Sequence, residues 1–335
     1  GSTLEYLEAM ADLVLAETGL LPHANAGALH FEELAALRRV SPSQGMMVET
    51  LVEGLDCHRG APDKLPTRRL TTLDAAGQLS IPFTTGLLVG IGEDRDDRIV
   101  ALEAIAASHR RYGHIQEVIV QNFLPKPGTA MHAYPACPTD QYLDAVALAR
   151  LILPPDVHLQ APPNLSDDFG LLLDAGIDDW GGVSPITADH VNPERPWPHL
   201  DQLRVATEQR GFGLAPRLTL YPEYVQEPDR WLHPDLHFSV ADRSDAEGLG
   251  RDDPGSLFPE AIEEIVAADG AEVRQVGHRS TAWYSGVPVT PTILVPAKGA
   301  ARGRIGEVLD GVLAGQQAGY LELLALFRAR GPEVA

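Results

Sequence analysis

The residues of this chain that could do chemistry stand at the ends of short apolar runs. His23 and Asn25, Glu49 and Thr50, Gly90 to Glu93, Gln121 and Asn122, Asn164, and Gly181 to Ser184 each close or follow such a run. Polar groups of these kinds orient a bound small molecule, because a buried donor left without a partner costs roughly 1–3 kcal/mol. Gly90 and Gly92 have no Cβ, so the backbone there can approach a flat ligand closely. The plainer reading of that turn is a tight strand-to-helix connection with Glu93 at a helix N-terminus. Nucleophilic and metal chemistry have less support. Cys57 and Cys137 are the two cysteines, too few for a four-cysteine zinc or iron-sulfur site. His109 and His114 are five apart, and His233 and His237 have Pro234 between them; both pairs read as solvated histidines.

The elements that must carry these residues alternate. Strand-like runs lie at 45–50, 81–89, 117–122, 157–160 and 177–181, with Leu20 to His23 a further one. Between them the helical patterns are 31–40, 67–79, 95–112, 141–153 and 168–175, with Gly113 and Gly176 just past their ends. No glycine-rich fingerprint follows the first strand, so a parallel (β/α) barrel is favoured over a doubly wound dinucleotide fold. Catalytic groups in such barrels come from the C-terminal ends of strands, which is where the polar residues above fall. The barrel-like domain is expected over 1–240, with an acidic linker at 241–256 and a C-terminal, helix-rich extension over 257–335. That extension is expected to hold a helix at 257–269, a strand at 290–295 and two short helices within 305–330.

Composition narrows the function. The chain has 335 residues and a formal net charge of −21, which opposes binding to phosphate backbones and anionic lipids. Nucleic acid and membranes are therefore not the expected partners; a small-molecule substrate is. The N-terminus has no signal-peptide layout and no apolar run is long enough to span a bilayer, so the expected compartment is the cytoplasm.

Several stretches carry a resemblance. Gly86-Leu87-Leu88-Val89-Gly90-Ile91-Gly92-Glu93 has the spacing of the fifth-strand Gly-x-Ile-x-Gly-x-x-Glu motif of radical S-adenosylmethionine (SAM) enzymes, with Leu88 in the Ile position. The runs 43–50, 113–123, 161–166, 178–185 and 191–198 resemble the FO synthase family of that superfamily, over roughly residues 3–230. FO is 7,8-didemethyl-8-hydroxy-5-deazariboflavin, the deazaflavin chromophore of coenzyme factor 420. The resemblance implies a partial TIM-type (β/α) barrel of the radical SAM kind. It also implies a 5′-deoxyadenosyl radical made from SAM at a 4Fe-4S cluster, cyclisation of the 5-amino-6-(ribitylamino)uracil/hydroxybenzyl adduct, and loss of ammonia. The family's Cys-x-x-x-Cys-x-x-Cys loop has no counterpart here. The expectation is an excerpt that lacks about the first two barrel units and leads into a second synthase half.

By the same resemblance, Glu49, Gly90, Glu93, Val120 and Gln121 would contact SAM. His23, Asn25, Thr84, Asn122, Asn164, Asp179 and Trp180 would face the substrate at the barrel mouth. No metal ligand and no proton carrier is assigned. The alternatives are a catalytically incomplete fragment that keeps part of the pocket, and a cofactor-free barrel lyase or aldolase. The second is weakened because Lys126, which sits among prolines in a loop, does not supply a strand-end Schiff-base lysine.

Overall fold

Alternating burial creates the sheet. In Phe83–Val89, Phe83, Leu87 and Val89 are fully buried, and in Ile115–Asn122 so are Val118 and Val120, whereas Leu88, Ile119 and Gln121 between them are half-buried. Both strands are buried on both faces over their first half, and toward their C-terminal ends one face packs into a core while the other turns to a less filled space. The structure, a computed structural model, describes residues 2–184, 187–189, 191–251, 304–314, 316, 319 and 321.

The strands are β1 (His23–Ala24), β2 (Ser43–Gly45), β3 (Phe83–Val89), β4 (Ile115–Asn122) and β5 (His158–Gln160). All pair in parallel, in the order β1-β2-β3-β4-β5. A sixth strand is reduced to one parallel bridge from Gln160 to Asp179. Helices α1 (Thr3–Thr18), α2 (Phe31–Leu37), α3 (Pro66–Gln78), α4 (Arg95–Tyr112), α5 (Thr139–Ile152), α6 (Gly170–Ala175) and α7 (Leu200–Glu208) alternate with them. The result is a partial (β/α) barrel. Its outer core joins Leu73, Phe83, Leu87, Leu102, Ile105, Val118, Val120, Tyr142 and Leu159. Local sequence sets the helix ends: Asp94 forms a capping box with Asp97, and Gly113 at φ 72° ends α4.

Two strands differ from the expected spans. The run at 45–50 is paired as regular strand only through Gly45, because Glu49 adopts a left-handed φ of 63° and meets Leu87 in a single bridge. Between Phe83 and Thr84 the β3–β4 register slips, Phe83 opposing Ile115 and Thr84 opposing Glu117. This bulge lets both Gln116 and Glu117 reach Thr84.

Residues 216–221 run across the inner face near the strand starts. The Thr219 carbonyl accepts from Ser43 Oγ at 2.6 Å and from Gln116 Nε2 at 3.2 Å. Leu220, Tyr221, Tyr224, Trp231 and Leu232 form a second core, with α8 (Pro222–Val225), α9 (Pro228–Trp231) and α10 (His237–Arg243). The chain divides into units 1–251 and 252–335. Residues 241–251, expected as linker, belong to the first: 241–243 end α10, Ser244 bridges Gly250, and Gly250 N–H donates to the Pro216 carbonyl at 3.0 Å. In the second unit the described helix is α11 (Arg304–Leu313); the helix expected at 257–269 and the strand at 290–295 lie outside the described residues. No described helix is long and apolar enough to cross a membrane.

Candidate functional site

The inner face is built by register. His23 opposes Ser43, and two residues farther along β2 Gly45 opposes Thr84, Thr84 opposes Glu117, and Glu117 opposes His158, so two successive tiers of inward residues lie along the first part of the strands. Two and four residues beyond Gly45, Met47 and Glu49 continue that face toward the strand ends, where Leu88, Ile119 and Gln121 are also half-buried.

At the strand ends, the Glu49 carboxylate is held by three cationic or donor groups. His58 Nε2 lies 2.8 Å from Oε2, Lys64 Nζ bonds Oε1, and Arg69 is 3.6 Å from Oε1. Lys64 and Arg69 come from the connection into α3 and from α3 itself, and Arg69 also donates to the Asp63 carbonyl. A left-handed glutamate stores about 1–3 kcal/mol, and such strain gathers at ligand sites.

The turn after β3 is self-contained. The Glu93 carboxylate accepts from the Gly90 and Ile91 N–H groups, each at 2.8 Å, and pairs with buried Arg98 at 2.8 Å. Gly90 is at φ 93°, and a Cβ there would lie 2.8 Å from the Cys137 Cβ, so this glycine is required by a side chain packed over it. Burial pushes the Cys137 thiol up to about 11. Glu93 therefore shapes the turn from within.

The remaining predicted residues separate into groups. Gln121 is half-buried on the inner face, whereas Val120 points into the outer core and its carbonyl accepts from Tyr142 Oη. The Asn122 amide donates to the Leu165 carbonyl at 3.0 Å. The Asn164 amide donates to Asp189 and to the Arg195 carbonyl. Asn25 is exposed just past β1.

Thr84, Trp180 and Asp179, also expected at the mouth, are each engaged by protein partners. Thr84 is the second residue of β3, near the strand start, and donates to Glu117 at 3.0 Å. Trp180 is buried against Phe169 and donates to Thr207 of α7, because it alternates with the inward Asp179. Asp179 pairs with Arg217 at 2.6 Å and accepts from the Gly181 N–H at 2.5 Å.

Sequence reading missed Arg217, Glu117 and Ser43. Arg217 bridges Asp179 and Glu117, the latter at 2.7 Å, and its guanidinium lies 4.4 Å from the Tyr221 ring centroid. Burial raises the Glu117 pKa, against the pull of Arg217. The fork spans 100 residues of sequence between Glu117 and Arg217, so no local pattern announces it. Ser43 falls in the run 43–50, and its alternation with Gly45, Met47 and Glu49 is the signal that puts it on the inner face.

SAM combines a flat base, ribose hydroxyls and a charged amino-acid end. The half-buried apolar groups Met47, Leu88 and Ile119, the Gln121 amide and the Glu49 carboxylate are of kinds that fit it. A 4Fe-4S cluster does not fit: among the described residues no three His, Cys, Asp or Glu side chains converge on a metal site, and Cys57 and Cys137 are free thiols on different loops.

The chain matches no protein-family model. It is 53% identical over 260 residues to FO synthase of Mycobacterium tuberculosis (strain CDC 1551 / Oshkosh), covering 75% of this chain and 30% of that relative. FO synthase of Streptomyces coelicolor is 48% identical over 258 residues, again covering 75% and 30%. The 7,8-didemethyl-8-hydroxy-5-deazariboflavin synthase of Methanopyrus kandleri is 48% identical over 256 residues, which are 75% of either chain. The chain thus spans about 30% of the length of its mycobacterial and streptomycete relatives. Among solved structures, HydG, a maturase of the FeFe-hydrogenase, matches with a TM-score of 0.51 at 16% identity over 72% of this chain and 55% of that one, a likeness of fold.

Proposed function

The chain belongs to the FO synthase family, and from that premise we propose that it forms the pocket side of a radical SAM barrel that makes the deazaflavin ring system of FO. The observation that carries this reading is the 48% identity spread over 75% of both this chain and the Methanopyrus enzyme. The substrate in this reading is the adduct of 5-amino-6-(ribitylamino)uracil with a hydroxybenzyl unit, which cyclises and loses ammonia.

Residues of this chain hold and orient. Glu49, fixed by His58, Lys64 and Arg69, presents an acceptor to hydroxyl or ammonium groups of SAM, and the inner edges of β3 and β4 at Leu88, Ile119 and Gln121 line its flat part. Gly90, packed beneath Cys137, and Glu93 keep the β3 turn in the form that borders that space. Asn164 secures Asp189 and Arg195 beside the strand ends, and His23 and Asn25 border the substrate from β1. When bound, SAM with a 4Fe-4S cluster supplies a carbon-centred radical. The cluster takes three thiolates, and this chain has two cysteines, so its ligands come from outside these 335 residues. The mycobacterial and streptomycete relatives are longer than this chain's match to them, which covers 30% of each.

The test is anaerobic turnover by the intact holoenzyme with the synthetic adduct, SAM and a reductant. The reading predicts deazaflavin fluorescence together with 5′-deoxyadenosine. An iron-replete enzyme that forms neither would overturn it.

A further inference from the structure

His23 is the most peculiar side chain of the inner face. Its Nδ1 lies 2.8 Å from Ser43 Oγ, and that hydroxyl donates its single proton to the Thr219 carbonyl at 2.6 Å. Ser43 Oγ can then only accept from the ring, so the imidazole carries its proton on Nδ1 and leaves a lone pair on Nε2. Nε2 makes no hydrogen bond among the described residues. It lies 2.9 Å from the position a Cβ would take at Gly45, and the Thr84 carbonyl lies 3.1 Å from the same point. Glycine at 45 is therefore what leaves room for the ring.

Two further observations say what surrounds it. Solvent reaches His23, which stands on the edge strand, although protein atoms pack closely round it. Burial, and then the Arg217 charge, lower its pKa to about 4, so the ring is neutral at pH 7. Arg217 is the charged group that acts on it, and Glu117 and Asp179 are both paired with that guanidinium; Ser43, Gly45, Thr84 and Thr219 complete the surroundings.

We propose that His23 is the proton acceptor of the barrel interior, its Nε2 taking a proton from an N–H or O–H group of the bound substrate. This deepens the function proposed above and rests on it. The step breaks one N–H or O–H bond, whose electron pair stays on the substrate, and forms the Nε2–H bond of an imidazolium. Repulsion from Arg217 makes that cation short-lived, and it returns the proton to the solvent that reaches the residue. Ser43 and Thr219 are positioning groups: they fix which nitrogen is free.

Two measurements test the assignment. In the intact protein labelled with 15N-histidine, NMR should show His23 as the Nδ1–H tautomer, with Ser43→Ala mixing the two tautomers. An Nε2–H tautomer in the unsubstituted protein would overturn the proposal. In the holoenzyme, His23→Gln should lower the ratio of deazaflavin to 5′-deoxyadenosine by about 10²-fold, the ordinary loss of a general base. A ratio within twofold of the unsubstituted enzyme would overturn it as well. Absence of deazaflavin from the unsubstituted holoenzyme would instead refute the proposed function, so the two failures are distinct.

Discussion

Replacing Arg217 by Met tests whether the inner face is held by charge. The guanidinium donates to Asp179 at 2.6 and 3.1 Å, to Glu117 at 2.7 Å and to the Leu218 carbonyl at 2.9 Å. The Glu117 and Asp179 side chains are 6% and 12% exposed, so little water is available to replace it. Removing one partner of such a pair costs about 3–5 kcal/mol, chiefly from the carboxylates left behind. In a unit of roughly 250 residues about 1 kcal/mol moves Tm by roughly 2–4 °C, so the drop should be on the order of 6–20 °C. The pH dependence gives the sign. Burial already raises the Glu117 pKa and Arg217 opposes it; without Arg217 the folded pKa rises further above the unfolded value. The cost is then present above the folded pKa and relieved as pH falls through it. Urea unfolding of Arg217→Met and the unsubstituted protein at pH 7 and pH 5 should show a gap that narrows at pH 5. A loss under about 1 kcal/mol at pH 7, or a gap that does not narrow, would refute the reasoning.

Other expectations follow from the same geometry. Burial alone would lower the His158 pKa, but its bonds to Asp178 and Glu223, at 3.1 and 3.2 Å, raise it to about 9. Being raised, it contributes stability that is complete below about pH 6.5 and is lost as pH rises to about 9, roughly 3 kcal/mol in all; His158→Gln should flatten that alkaline limb of the unfolding free energy. Burial lowers His114 to about 3, so its contribution is complete above about 6.5 and lost on acidification, about 2 kcal/mol by pH 5, and His114→Gln should remove that part of the acid loss. Glu49→Gln should weaken SAM binding by the holoenzyme at least tenfold, equivalent to about 1.4 kcal/mol, without changing the unfolding m-value. Glu93→Gln should instead lower stability by about 1.5–3 kcal/mol, since it carries the turn and Arg98; equal stability in the two variants would contradict the separate roles given to them.

How much of this was legible in the sequence depends on the range of the interactions. The helical pattern at 95–112 coincides with α4, whose ends are marked locally by the Asp94 cap and by Gly113. The apolar runs at 81–89 and 117–122 locate β3 and β4 but not their first residues, which are Phe83 and Ile115. The polar ring at the strand ends was visible as residue types, but not its division. Glu93 is consumed by its own turn, and Trp180 faces the outer core, since neighbouring strand residues point to opposite sides. The partners of Glu49 could not be read, as Lys64 and Arg69 approach it only once the connection into α3 is folded. Nor could the Glu117–Arg217–Asp179 fork, which depends on 216–221 crossing the inner face. The acidic stretch up to 251 looked like a linker by composition, yet its backbone pairs with Pro216 and within itself.

In the proposed reading this chain brings the pocket and not the iron. The most direct measurement is therefore the iron content of the 335-residue chain after anaerobic reconstitution with iron and sulfide. Close to zero iron per chain is the predicted result. About four irons per chain, the content of one 4Fe-4S cluster, would show that Cys57, Cys137 and other ligands assemble a site, and would contradict the division of labour proposed here.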